Sequence, residues 1–102
     1  MSTLLEEAFE LVKNQETWTT KAYARDSEGF AVKIASPGAC KFCSEGAVRK
    51  TAQVKNYTKP EYFQAMEALD AAAVRIYGKS TLYCNDRIPH EKVLEIWQEA
   101  MK

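Results

Sequence analysis

Neither sign of charge is in surplus in this sequence: 14 lysines and arginines stand against 14 aspartates and glutamates. The simplest electrostatic ground for binding nucleic acid or an anionic membrane is therefore missing, and any such binding needs a local patch. Long apolar runs are missing too. The longest apolar stretches fall far short of the roughly 20 residues that cross a bilayer, and Glu6 and Glu7 interrupt any signal-like start. The expectation is a cytoplasmic protein with no membrane partner. Phosphate-cradling loops of the form G-x-x-x-x-G-K-S/T or G-x-G-x-x-G do not occur, so a nucleotide cofactor has no support. There is no internal repeat and no low-complexity tract. Histidine occurs once, at His90, and the three cysteines are an odd number without a secretion signal. Reduced thiols are expected rather than a disulfide framework.

What is present fits one ordinary domain, 1–102. Apolar residues make up 46% and charged residues 27% of the chain, which is enough apolar material for a core and too little charge for a disordered tail. A chain of 102 residues can bury that core without staples.

Thr3 followed by Glu6 has capping-box spacing, and Leu5, Ala8, Phe9 and Val12 recur at helical intervals, so a first helix is expected from about Thr3 to Lys13. Trp18 to Arg25 alternates imperfectly, Asp26-Ser27-Glu28-Gly29 is turn sequence, and Phe30, Val32 and Ile34 alternate. Together they read as a β-hairpin. After the Ser36-Pro37-Gly38 break, Cys40 to Val54 suits a short helix, although Gly46 argues against it. Thr58 with Glu61 repeats the capping box, Pro60 fits a first turn, and a wide apolar stripe through Leu69 marks a long helix ending at Gly78. Leu82-Tyr83-Cys84 reads as a short extended piece, Asn85-Asp86 as a turn, and Pro89 as the start of a last helix carrying Trp97. The fold class is α+β: three or four helices packed with one β-hairpin, with Leu69 and Trp97 in the core.

Trp18, Ala24-Arg25-Asp26, Gly29, Cys43-x-x-Gly46-Ala47, Asn85-Asp86 and Val93-Leu94 form an ordered pattern. It resembles a family of small uncharacterised bacterial and phage proteins with tryptophan before an A-R-D-x-x-G hairpin, a C-x-x-G-A helix, and then W-N-D. The similarity runs from Trp18 onward. It implies no activity, and its phage members imply a phage-related setting. Cys84 stands where that pattern has its second tryptophan, and Cys40 is an additional thiol.

Several constellations invite chemistry. Cys40-x-x-Cys43 with Cys84 and His90 supplies the ligand types of a Cys3His zinc site, but the Cys84–His90 spacing is not a recognised one. Buried cysteine acting as a small hydrophobe is the simpler account. A C-x-x-C redox pair lacks its usual βαβ context. A small Cys/His enzyme would use Cys43 or His90, yet His90 opens a helix, where the dipole disfavours an imidazolium. Lys41, Arg49, Lys50, Lys55 and Lys59 face only Glu45, with Tyr57 among them. Such a stripe contacts single-stranded nucleic acid in some proteins and is a solvated face in many others.

The leading expectation is a non-enzymatic accessory module that binds a protein partner, with no metal or cofactor. Its binding candidates are Asn85, Asp86, Arg25 and Trp18. A zinc-stabilised or nucleic-acid-contacting module and a small Cys/His enzyme stand as alternatives. Turn chemistry favours a structural role for Asn85-Asp86 over a ligand contact, with Asp86→Ala costing about 1 kcal/mol and Asn85→Ala less.

Overall fold

The computed structural model describes residues 3–102. Five α-helices and a two-stranded antiparallel sheet make up the fold: α1 (Leu4–Val12), β1 (Ala24–Arg25), β2 (Lys41–Phe42), α2 (Ser44–Lys55), α3 (Lys59–Tyr77), α4 (Thr81–Arg87) and α5 (His90–Ala100), with a 3-10 turn at Gln15–Thr17. The mixed α and β class agrees with the sequence. No described helix is long and apolar enough to cross a membrane.

Local chemistry sets most of the helix ends. Thr3 and Thr58 each accept from the amide three residues on, and Glu6 and Glu61 reach back to the cap amides, completing both capping boxes. Gly78 ends α3 at φ 73°, the left-handed conformation that glycine adopts without penalty. α1 packs chiefly on α2, and α3 on α5. The alanines of α3 let this happen closely: Ala65, Ala72 and Ala73 are buried around Leu69, which is completely covered, as is Trp97 of α5.

Five helices exceed the three or four expected. The added helix is α4, which replaces both the extended piece at Leu82-Tyr83-Cys84 and the turn at Asn85-Asp86. Ser80 caps its start by accepting from the Tyr83 amide, and Asp70 accepts from the Thr81 amide. Its buried positions Thr81, Cys84 and Asn85 lie at i, i+3 and i+4, a helical stripe in which two of the three residues are polar.

Thr81 brings an unresolved cost, since its hydroxyl has no hydrogen-bond partner among the described residues while the residue is 1% exposed. Thr81→Val keeps the shape and removes the stranded hydroxyl. It is expected to raise stability by about 1 kcal/mol, read as a rise of roughly 4 to 8 °C in the thermal midpoint.

The hairpin also differs from its sequence reading. β1 pairs with β2, placing Ala24 opposite Phe42 and Arg25 opposite Lys41. The expected partner, Phe30 to Ile34, makes only an isolated bridge from Ala31 to Arg25. The tight Asp26 turn itself forms as read: Asp26 Oδ1 accepts from the amides of Glu28 and Phe30, and Gly29 sits at φ 92°. A second isolated bridge, this one parallel, joins Trp18 to Phe42. The sheet therefore runs, in space, Ala31, β1, β2, Trp18.

Gly46 explains itself here. A Cβ at this position would lie 2.0 Å from the Tyr23 carbonyl oxygen, so the first turn of α2 can rest on the chain entering β1 only with glycine there.

Candidate functional site

Asn85, one of the binding candidates, is 1% exposed and lies at the centre of a buried polar junction. Its Oδ1 accepts from Trp18 Nε1 (2.9 Å), from the Ser44 amide (3.0 Å) and from the Ser44 hydroxyl (2.8 Å). Its Nδ2 donates to the Thr19 carbonyl at 3.0 Å. Ser44 Oγ in turn accepts from Trp97 Nε1 at 3.0 Å. One amide thus joins the Trp18 segment, α2, α4 and α5, with both its oxygen and its nitrogen satisfied.

Trp18 lies half-buried against His90, with ring centroids 4.8 Å apart. His90 Nε2 meets the Val12 carbonyl at 2.6 Å, donating to an oxygen left free at the end of α1. Arg25 donates to the Gly29 and Thr20 carbonyls and clamps its own turn. Asp86 Oδ1 accepts from the Lys21 amide at 2.8 Å, holding Lys21 at φ 62°. The four candidates are therefore ties within the fold. Asp86 alone among them also lines the large groove described below.

The cysteines and His90 are separately engaged. Cys43 caps α2, its sulfur accepting from the Gly46 amide at 3.3 Å, and burial pushes its thiol pKa up. Cys84 is buried on α4, and burial raises its pKa as well. Cys40 is exposed. Among the described residues no three histidine, cysteine or acidic side chains gather where they could hold a metal ion. A thiol with a raised pKa is a weaker source of thiolate, and His90 is committed to Val12 rather than to either sulfur.

The basic stripe is largely occupied. Arg49 pairs with Glu45 at 2.8 Å, Lys50 donates to the Ile34 carbonyl, and Lys55 lies 3.7 Å from Glu7. Glu7 also accepts a short hydrogen bond from Tyr57. That bond, with desolvation and the nearby negative charges, pushes the Tyr57 pKa from 10.0 to about 12. Because the folded state keeps this proton longer than the unfolded state, the stabilisation is complete below pH 10.0 and is lost as the pH rises towards about 12. Tyr57→Phe is thus expected to narrow its stability deficit against the parent across that window, measured by urea unfolding at several alkaline pH values.

A large open groove, about 970 Å³, lies between the sheet, α2 and α4. Val32, Ile34, Tyr23 and Leu82 give it apolar walls, and Lys21, Lys33 and Arg49 are its cations. Tyr23 and Leu82 are 45% and 49% exposed, large apolar surfaces left open to solvent on the groove walls. The Arg49 guanidinium lies 5.1 Å from the Tyr23 ring centroid and 5.6 Å from that of Tyr62, and it is answered by Glu45. Lys21 and Lys33 make no ion pair among the described residues, and Asp86 is the carboxylate in the lining. Next to Leu82 on α4, Tyr83 carries Arg87 over its ring at 4.0 Å. Sequence reasoning missed Lys21, Lys33 and Leu82. They are far apart in the chain, and no local pattern joins them.

These features define a small mixed α/β protein whose interior is locked by an asparagine junction and whose surface carries an apolar groove with a cationic rim. The chain belongs to a family of unknown function, DUF6197, whose model matches residues 1–102. No curated protein and no solved structure matches it.

Proposed function

We propose that the protein is a non-enzymatic binding module that takes a segment of a protein partner into the groove between the sheet, α2 and α4. The observation that carries this reading is the pairing of exposed Tyr23 and Leu82 with the cations Lys21 and Lys33 in one concavity. Tyrosine is among the residues from which protein interfaces draw most of their energy, and an exposed apolar neighbour with a polar, charged surround is the usual anatomy of such a surface. The cysteines and His90 support catalysis less well, since the buried thiols are harder to ionise and His90 is hydrogen-bonded to Val12. Nucleic acid is the weaker reading because Arg49, Lys50 and Lys55 of the stripe already have partners. A phage-related setting rests on the motif resemblance.

Photo-crosslinking tests the reading. A photoreactive phenylalanine at Leu82 or Tyr23, introduced in cells that make the protein, is expected to capture a defined protein, and the same residue at the exposed Gln64 of α3 is not. Capture lost on reversing Lys21 and Lys33 to glutamate is the supporting result. Equal capture from both faces, or none from the groove, rejects the groove as the binding surface.

A further inference from the structure

Two hydrogen bonds bracket the bridge between Arg25 and Ala31: Asp26 donates to the Phe30 carbonyl at 2.9 Å, and Val32 donates to the Ala24 carbonyl at 3.0 Å. In an antiparallel ladder, the residue between two such bonds turns its own amide and carbonyl to the opposite side. Ala31 therefore presents both groups away from β1, and among the described residues neither is hydrogen-bonded within the chain. The Lys33 amide likewise has no hydrogen-bond partner among the described residues, whereas the Lys33 carbonyl accepts from the Ser36 amide at 3.0 Å and closes the edge there. This outer edge of the sheet belongs to the stretch 31–34 that lines the groove.

Resting on the proposed function, we infer that the partner segment binds as an added β-strand along Ala31 to Lys33, and that it is acidic, with apolar residues at alternate positions. Main-chain bonds to the free edge hold such a segment, and side-chain pockets select it. Successive side chains of a strand point to opposite faces, so one set reaches Tyr23 and Leu82 while the backbone stays in register with Ala31. The charge follows from Lys21 and Lys33, which lack ion-pair partners among the described residues and outnumber Asp86, the carboxylate in the lining. A lysine on an edge strand also guards against edge-to-edge aggregation, but that role alone predicts no preference for acidic ligands.

The probe is a capped heptapeptide of alternating glutamate and valine with a central tyrosine, titrated into the labelled protein and followed by amide NMR. Its lysine-for-glutamate counterpart and a ten-nucleotide oligothymidylate are titrated in parallel. Expected are shifts centred on Ala31 and Lys33, slowed hydrogen exchange at the Ala31 amide, and at least tenfold tighter binding of the acidic peptide than of the basic one. Ala31→Pro removes an outward amide that the fold does not use, and it is expected to weaken binding about tenfold. The joint change Lys21→Glu and Lys33→Glu is expected to do the same, with the thermal midpoint of each variant recorded beside it. Equal binding of the two peptides, shifts without exchange protection at Ala31, or tighter binding of the oligonucleotide at this edge overturns the inference. If the peptides fail while photo-crosslinks from Leu82 persist, the strand mode is rejected and the groove reading stands. If both fail, the groove reading falls with it.

Discussion

Replacing Asn85 with leucine is expected to lower stability by about 3 to 5 kcal/mol, a large part of what holds a domain of this size. Leucine fills nearly the same volume, so packing changes little and the effect isolates the polar junction. Three donors converge on Asn85 Oδ1, and its Nδ2 serves the Thr19 carbonyl. With the amide gone, the Ser44 amide and the Trp18 indole are left without their acceptor in or near the interior. Each buried orphan costs about 1 to 3 kcal/mol, while the Ser44 hydroxyl can turn elsewhere. Denaturant unfolding reads the loss as a lower midpoint at unchanged slope. A loss under about 1 kcal/mol would mean that the junction is dispensable. The burial of Asn85 reverses the order expected from turn chemistry, in which Asp86 is the more costly residue to remove.

Trp97→Ala is expected to cost about 3 to 5 kcal/mol, and here packing dominates. Trp97 is completely buried, its ring centroid lies 6.1 Å from that of Phe9, and its indole donates to Ser44 Oγ. Trp97→Phe separates the two contributions, because it keeps most of the ring volume and removes the donor. It is expected to cost about 1 to 2 kcal/mol, with the remainder of the alanine loss assigned to the cavity. Circular dichroism with urea titration on both variants gives the comparison. Similar losses from both would mean that the indole hydrogen bond stabilises the protein more than the ring volume does.

The helices whose ends carry local chemistry were legible. Thr3 with Glu6, and Thr58 with Glu61 and Gly78, fix α1 and α3 by contacts within three or four residues, which sequence spacing records. α4 was not legible, because its buried stripe includes Thr81 and Asn85, which read as surface or turn residues until a distant partner satisfies them. The strand partner of β1 was missed for a related reason. Phe30 to Ile34 has the alternation of a strand, whereas Lys41-Phe42 is only two residues long and is recruited by the close approach of Tyr23 to Gly46 and Cys43.

The pattern that carried the family resemblance was visible in full, but its meaning was not. Trp18, Asn85, Gly46 and the Arg25-Asp26 turn are joints of the fold, and the groove is built mainly from other residues. By itself the sequence determined the class of fold, the capped helices and the two core anchors Leu69 and Trp97, because apolar periodicity and caps act over short spans of chain. Only the tertiary structure decided that Asn85 is interior, that the cysteines and His90 are apart, and that Lys21, Lys33, Tyr23 and Leu82 share one concavity. The first of these rests on hydrogen bonds between Asn85 and residues 41 and 67 positions away in the chain. Such contacts form only when the chain has folded, and they leave no period or spacing in the sequence.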